Sequence, residues 1–157
     1  MKRIIRLTVN GREREDAIGD NTLLIDYLRQ TAAATSVKQG CDGGECGACT
    51  VLIDGLPRYA CISLAVEAED TEIVTLEGLM EGEQLGAVQQ AFLEHDAFQC
   101  GYCTPGQIMS AEGMLRSNPS PNPGAIRREM SGNLCRCGAY THIFKAVRHA
   151  AELKQGK

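Results

Sequence analysis

Eight cysteines fall into two groups of four along this chain, and each group has its own spacing. The groups are Cys41, Cys46, Cys49 and Cys61, then Cys100, Cys103, Cys135 and Cys137. Four thiolates are what an iron–sulfur cluster takes, and the C-x4-C-x2-C opening of the first group is the plant-type [2Fe–2S] spacing. The spacing therefore predicts two one-electron centres, which would make the chain a relay for electrons.

Glycines surround the first three cysteines, in the segment GCDGGECGAC at residues 40–49. Glycine allows the positive φ angles with which a loop wraps around an anionic cluster, and it lets backbone N–H groups approach the sulfurs. Those hydrogen bonds help to set the reduction potential. A structural zinc site also takes four cysteines, but zinc sites usually pair two C-x2-C segments. The longer first spacing and the glycines favour iron.

The second group lies beside two predicted helix starts. Cys100 and Cys103 directly precede Thr104-Pro105, where we expect a helix, and Cys135 and Cys137 precede a helix that begins near Tyr140. Unpaired N–H groups and the positive end of each helix dipole would lower the cost of the thiolate charges. Taken alone, C-x2-C plus C-x-C is also compatible with zinc. The first group favours iron here as well.

The apolar periodicity changes near residue 80, which predicts two domains. In the first half, Asn10-Gly11 indicates a hairpin between alternating segments, and a short helix should follow with Asp20 or Thr22 as its N-cap. A second hairpin turns at Asp54-Gly55. The predicted strands cover 5–9, 12–18, 50–53, 56–62 and 71–76. A small mixed sheet that embraces one helix accommodates these elements.

The second half has helical periodicity throughout. We expect a helix over 84–94 that carries Leu85, Val88 and Phe92 at helical spacing. A second helix should have Thr104 as its N-cap, and a third should be capped by Asn122 with Gly132 at its C′ position. The last helix should cover 140–153. Four short helices of this kind predict an antiparallel bundle.

Charge and hydropathy exclude several classes of partner. The net charge is only -4 and the basic residues are scattered, which argues against a nucleic-acid partner. No apolar stretch approaches the length of a membrane span, so no membrane association is expected. The first residues alternate polar and apolar types and lack the apolar region of a secretory signal. We therefore expect a cytoplasmic protein, whose thiols stay reduced and can bind metal.

Three motifs carry a family resemblance: GCDGGECGACT at 40–50, QCGYCTPG at 99–106 and GNLCRCG at 132–138. Together they resemble the iron–sulfur subunit of the xanthine dehydrogenase family of molybdenum hydroxylases. The resemblance spans nearly the whole chain and all eight cysteines. It implies an α+β fold, with a plant-type [2Fe–2S] ferredoxin (β-grasp) domain over residues 1–78 and a helical, four-helix-bundle [2Fe–2S] domain over residues 79–157.

The resemblance also implies cofactors and partners. The chain would carry two [2Fe–2S] clusters between a large subunit that binds the molybdopterin cofactor and a medium subunit that binds FAD, and would not itself be catalytic. The cluster on the second group would lie nearer the molybdenum, and the cluster on the first group nearer the flavin. Gln99 matches the family position that hydrogen-bonds the pterin, and Cys137 matches the ligand closest to the pterin amino group.

The substrate is recognised by the large subunit, so this chain indicates it only indirectly. The C-terminal half is similar to bacterial aldehyde oxidoreductases, and the N-terminal half to the gamma subunit of 4-hydroxybenzoyl-CoA reductase. Oxidation of aldehydes to carboxylic acids is the favoured prediction. Two hypotheses outside this class remain open at the level of sequence: a free-standing two-cluster ferredoxin and a zinc-stabilised interaction module.

Overall fold

A five-stranded mixed sheet forms the first half of the chain in the computed structural model, which describes residues 2–156. The strands are β1 (Lys2–Val9), β2 (Arg12–Gly19), β3 (Thr50–Ile53), β4 (Leu56–Tyr59) and β5 (Glu72–Val74), in the spatial order β2-β1-β5-β3-β4. β1 pairs with β5 in parallel, and all other pairs are antiparallel. The predicted mixed sheet is confirmed, although β4 and β5 are shorter than the sequence indicated.

Both predicted hairpin turns occur where the sequence places them. Asn10 and Gly11 have φ angles of 51° and 74°, and Asp54 and Gly55 have φ angles of 48° and 80°. Two successive residues with positive φ form the type I′ turn, whose twist matches that of paired strands. The turns therefore fix the register of both hairpins.

The helix beneath the sheet begins later than predicted. α1 covers Leu24–Asp26 and continues as a π-helical turn over Tyr27–Thr31. Leu23 occupies the N-cap position and no side chain caps the helix, so the expected caps Asp20 and Thr22 were wrong. The Leu24 amide bonds instead to the Ser63 carbonyl, so tertiary contact satisfies the helix start.

Four helices form the second half: α2 (Ala87–Glu94), α3 (Thr104–Ser117), α4 (Pro123–Met130) and α5 (Tyr140–Lys154). Their inward faces build a core that is separate from the core of the sheet. α2 is shorter than predicted: it buries Val88 and Phe92, as their spacing indicates, whereas Leu85 precedes the helix with 41% of its surface exposed. Within residues 2–156 no helix is long and apolar enough to cross a membrane.

Helix ends in this half follow the sequence signals only in part. Asn122 caps α4 as predicted, because its side chain accepts a hydrogen bond from the Ala125 amide. Cys103, not Thr104, occupies the N-cap of α3. Gly132 occupies the predicted C′ position, directly after the C-cap Ser131, but does not have a positive φ. It is needed for another reason, since a Cβ there would collide with the Tyr59 hydroxyl.

The two halves pack closely where α3 crosses the sheet. A Cβ at Gly106, in the first turn of α3, would overlap the Gly47 carbonyl and the backbone of Ala48. A Cβ at Gly113, two turns further along, would overlap Pro57. Small residues let backbones approach this closely, and the approach brings the first cysteine loop against the start of α3.

Candidate iron–sulfur sites

The first four cysteines converge at one end of the sheet. Three come from the loop that precedes β3, and Cys61 follows β4, so the β3–β4 hairpin returns the fourth thiol to the loop. Burial raises the pKa of Tyr59, and the negative charge of all four thiols raises it further. The four thiols of the predicted first quartet therefore lie around the side chain of Tyr59.

Backbone geometry in this loop matches what a bound anion requires. Gly44 and Gly47 both have a φ of 72°, a conformation that L side chains adopt only with strain. The Cys46 amide donates to the Sγ atom of Cys41 at 3.4 Å. Hydrogen bonds from the amides of Cys46, Glu45 and Gly43 lower the pKa of the Cys41 thiol to about 6. The loop thus stabilises a thiolate before any metal ion is considered.

The second pair of thiols in this quartet lies deeper. Cys49 and Cys61 are buried, and burial raises the pKa of Cys49 to about 12, with a further rise from the neighbouring Cys61 thiol. Without a cation, the Cys49 thiol would stay neutral at physiological pH. A bound metal reverses that balance, because its charge compensates the thiolates and drives off their protons.

The second quartet lies between the starts of α3 and α5. Cys103 is the N-cap of α3, and the Ala139 amide at the start of α5 donates to the Sγ atom of Cys135 at 3.4 Å. Burial opposes ionisation of Cys135, but hydrogen bonds from this end of α5 lower its pKa overall. Burial raises the pKa of Cys103 to about 12. Both helix starts therefore face the quartet, as the sequence predicted.

Each quartet contains two pairs of thiols whose sulfur atoms lie within hydrogen-bond reach of each other. Cys41 contacts Cys46 and Cys49 contacts Cys61, while the second quartet has the corresponding pairs Cys100–Cys137 and Cys103–Cys135. Across residues 2–156, no three His, Cys, Asp or Glu side chains are placed to hold a single ion. Two pairs of thiols fit a [2Fe–2S] cluster, in which each of two iron atoms takes two thiolates.

One side of the second quartet is open to solvent. Cys100 and Cys137 are exposed, as is Gln99, which lies next to Cys100 in the chain. Phe98, with 40% of its surface exposed, adds an apolar side chain to the same segment. The sequence-predicted cofactor residues Gln99 and Cys137 are thus both at the surface, where another subunit could reach them.

Two contacts that connect the two sites have no signal in the sequence. Tyr59 donates its hydroxyl to the Gly132 carbonyl at 2.9 Å, and Asn133 donates its side-chain amide to the Gly47 carbonyl at 3.0 Å. The partners lie 73 and 86 positions apart in the chain. No local periodicity or motif spacing could have paired them.

Comparison with known proteins matches both halves to established families. A model described as a 2Fe-2S iron-sulfur cluster binding domain matches residues 7–76, and one described as a [2Fe-2S] binding domain matches residues 75–148. Together with the two cysteine quartets, these matches define the class: an iron–sulfur protein with two [2Fe–2S]-binding domains. The matches oppose the zinc-stabilised module that the second spacing alone allowed.

Relatives at high identity identify the family. The chain is 49% identical to the nicotinate dehydrogenase small FeS subunit of Eubacterium barkeri, over 94% of each chain. It is 43% identical to the aldehyde oxidoreductase iron-sulfur-binding subunit of Escherichia coli K12, over 94% of this chain and 71% of that one. A chain of quinoline 2-oxidoreductase from Pseudomonas putida 86 superimposes with a TM-score of 0.94 at 43% identity, covering 99% of this chain and 97% of that one. The chain belongs to the iron–sulfur subunits of the molybdenum hydroxylases.

Proposed function

We propose that this chain transfers electrons between a molybdopterin-binding subunit and an FAD-binding subunit of a molybdenum hydroxylase. One observation supports this proposal above the others: two quartets of thiols lie in touching loops, and only the second quartet has an exposed pair of cysteines. Such an arrangement suits a relay that accepts electrons from one partner and passes them on to another. Within the complex, this subunit performs no bond chemistry.

The cluster ligands follow from the two quartets. One [2Fe–2S] cluster is held by Cys41, Cys46, Cys49 and Cys61, and the other by Cys100, Cys103, Cys135 and Cys137. Bound in these sites, each cluster supplies a one-electron redox centre. The boundary between the two units falls at residues 78 and 79, close to the point where the two family models meet.

The exposed side of the second quartet faces the molybdopterin subunit in this proposal. Gln99 hydrogen-bonds the pterin and Cys137 is the ligand nearest to it, which their surface positions support. Exposed Phe98 adds apolar surface for the contact between the subunits. The first quartet faces the FAD subunit, and the complex operates in the cytoplasm, where all eight thiols stay reduced for metal binding.

The substrate belongs to the molybdopterin subunit. The relatives carry the names of nicotinate, aldehyde and quinoline enzymes at 43–49% identity. Aldehyde oxidation stays a prediction, and nicotinate is a second candidate because the nicotinate dehydrogenase subunit is 49% identical. The purified complex should be assayed with an aldehyde, nicotinate and an aroyl-CoA thioester side by side.

An anaerobic affinity purification of the native complex tests the electron-transfer function. We expect about four iron and four sulfide per copy of this chain, with molybdenum and FAD on two co-purifying subunits. Cys61→Ser and Cys137→Ser form a matched pair of variants: each should abolish the electron paramagnetic resonance signal of one centre and leave the other. Iron and sulfide on a chain that purifies alone would favour the free-standing ferredoxin, and zinc without sulfide would refute electron transfer.

A further inference from the structure

A buried network of polar side chains lies between the two cysteine loops. We call it the Asn133 network; its members are Thr50, Gln107, Ser110 and Asn133, all of which are buried. Ser110 donates to Asn133 Oδ1 at 2.6 Å, and Gln107 donates to the Asn133 carbonyl at 3.1 Å. Because buried polar groups are costly unless they are paired, the network fixes Asn133 in a single orientation.

Asn133 uses that orientation to hold the first cysteine loop. Its side-chain amide donates to the Gly47 carbonyl at 3.0 Å and lies 3.4 Å from the Thr50 hydroxyl. The two loops can approach this closely because residue 47 is glycine: a Cβ there would overlap the Gly132 carbonyl and the Asn133 side-chain amide. Asn133 therefore joins the loop of the first quartet to the loop of the second.

A direct backbone hydrogen bond lies immediately beside this contact. The Leu134 amide donates to the Cys46 carbonyl at 2.9 Å. Cys46 belongs to the first quartet, and Leu134 directly precedes Cys135 of the second. The route between these thiols therefore consists of the backbone of Cys46, one hydrogen bond, and the backbone of Leu134 and Cys135.

A third hydrogen bond joins the two loops, and it lies at the surface. Tyr102, between Cys100 and Cys103 in the chain, donates its hydroxyl to the Gln39 carbonyl at 2.9 Å. This bond is exposed and reaches the first loop only through a long aromatic side chain. It provides a control contact between the loops that bypasses the Leu134 amide.

We propose that Asn133 is a positioning residue for electron exchange between the two quartets, acting by holding the Leu134 amide against the Cys46 carbonyl. This inference rests on the proposed electron-transfer function. Electronic coupling decays less steeply through covalent and hydrogen bonds than through space, so a fixed backbone bridge favours the exchange. One electron moves from one centre to the other, which oxidises the first as it reduces the second, and no bond is made or broken.

Hydrogen exchange of the Leu134 amide in the unaltered complex is the first test. The amide should exchange far more slowly than the amides of the exposed residues around it, because the network keeps its hydrogen bond closed. In Asn133→Leu, which removes every side-chain hydrogen bond at similar size, exchange should accelerate on the order of tenfold or more. Rapid exchange in the unaltered complex would overturn the proposal before any variant is made.

The spin–spin interaction between the two reduced centres is the decisive readout. Asn133→Leu and Ser110→Ala should lose or weaken the splitting in the paramagnetic resonance spectrum, and the electron exchange rate should fall with it. Tyr102→Phe leaves the hydrogen bond from the Leu134 amide to the Cys46 carbonyl intact, so this variant should keep both the splitting and the exchange rate. Two signals in every protein verify that both centres are loaded, so a failure of the function itself appears separately as missing signals. Unchanged splitting in loaded Asn133→Leu, or an equal loss in Tyr102→Phe, would refute the role of Asn133.

Discussion

Replacement of Gly47 by alanine tests the contact between the two cysteine loops. Gly47 has a φ of 72°, and a Cβ there would overlap the Gly132 carbonyl and the Asn133 side chain. The left-handed conformation costs an L-residue about 1–2 kcal/mol. Overpacking adds about 1–3 kcal/mol. Together these effects should destabilise the protein by about 2–5 kcal/mol, a large share of the roughly 5–15 kcal/mol that stabilises a typical domain.

Gly101 provides a matched control for the conformational part. It also follows a cysteine and has a φ of 80°, but a Cβ there would meet nothing within 4 Å. Gly101→Ala should therefore lose only the conformational part, about 1–2 kcal/mol. The variants should differ by roughly 2–12 °C in melting temperature, since 1 kcal/mol corresponds to about 2–4 °C for a chain of this size.

The difference in stability between Gly47→Ala and Gly101→Ala can be measured by denaturant and thermal unfolding of the loaded complex. The visible absorbance of the clusters would follow both transitions. The absorbance reports the sites themselves, which matters because metal-containing proteins often depart from two-state unfolding. Equal destabilisation by the two substitutions would refute the close approach of Gly47 to residues 132–133 and, with it, the fixed contact between the loops.

Three further predictions concern the contacts that hold the fold together. Tyr59→Phe removes the hydroxyl that bonds the Gly132 carbonyl at 2.9 Å and should cost about 1–2 kcal/mol in denaturant titration, whereas no loss would mean that this carbonyl finds another donor. Burial raises the pKa of Asp16, but hydrogen bonds from Tyr27 and Arg14 outweigh that effect and hold the pKa below 3.8. The ionised carboxylate should therefore stabilise the protein above pH 3.8, and this stabilisation should be lost as the pH falls through the lowered folded-state pKa. Asp16→Asn should lower the free energy of unfolding at pH 7 and make that free energy less dependent on pH in the acid range. An unchanged pH dependence would contradict this prediction. Glu112 keeps only 9% of its side chain exposed and accepts a hydrogen bond from Lys154 at 2.9 Å. In thermal unfolding, Glu112→Gln should therefore cost about 1–3 kcal/mol. Lys154→Met should cost less, because it leaves the carboxylate paired with Arg116, and the reverse order would refute this reasoning.

Local signals predicted those elements whose causes are local. Asn10-Gly11 and Asp54-Gly55 fixed their turns because a two-residue hairpin requires two positive φ angles. Asn122 was predicted as a cap and is one, because its side chain reaches an amide three residues ahead. The predicted caps Asp20, Thr22 and Thr104 were wrong. At α1, for example, a distant carbonyl satisfies the helix start, and no local pattern encodes that contact.

The two candidate sites also combine features that local sequence predicts with features that depend on long-range packing. The cysteine spacing and the glycines around it predict which neighbouring thiols can share a site, because the reach of a short loop is set by the covalent chain. Cys100 and Cys103 meet Cys135 and Cys137 only because the starts of α3 and α5 lie together in the folded chain. The contact between the sites depends on pairs such as Gly47 with Asn133, which lie 86 positions apart. Only the packing of α3 on the sheet brings them together, because Gly106 and Gly113 let the backbone of the helix approach the first cysteine loop and the sheet. The cysteine spacing therefore predicts two sites for iron–sulfur clusters. The contact between their loops and the exposure of Cys100 and Cys137 come from packing between elements that are distant in the chain.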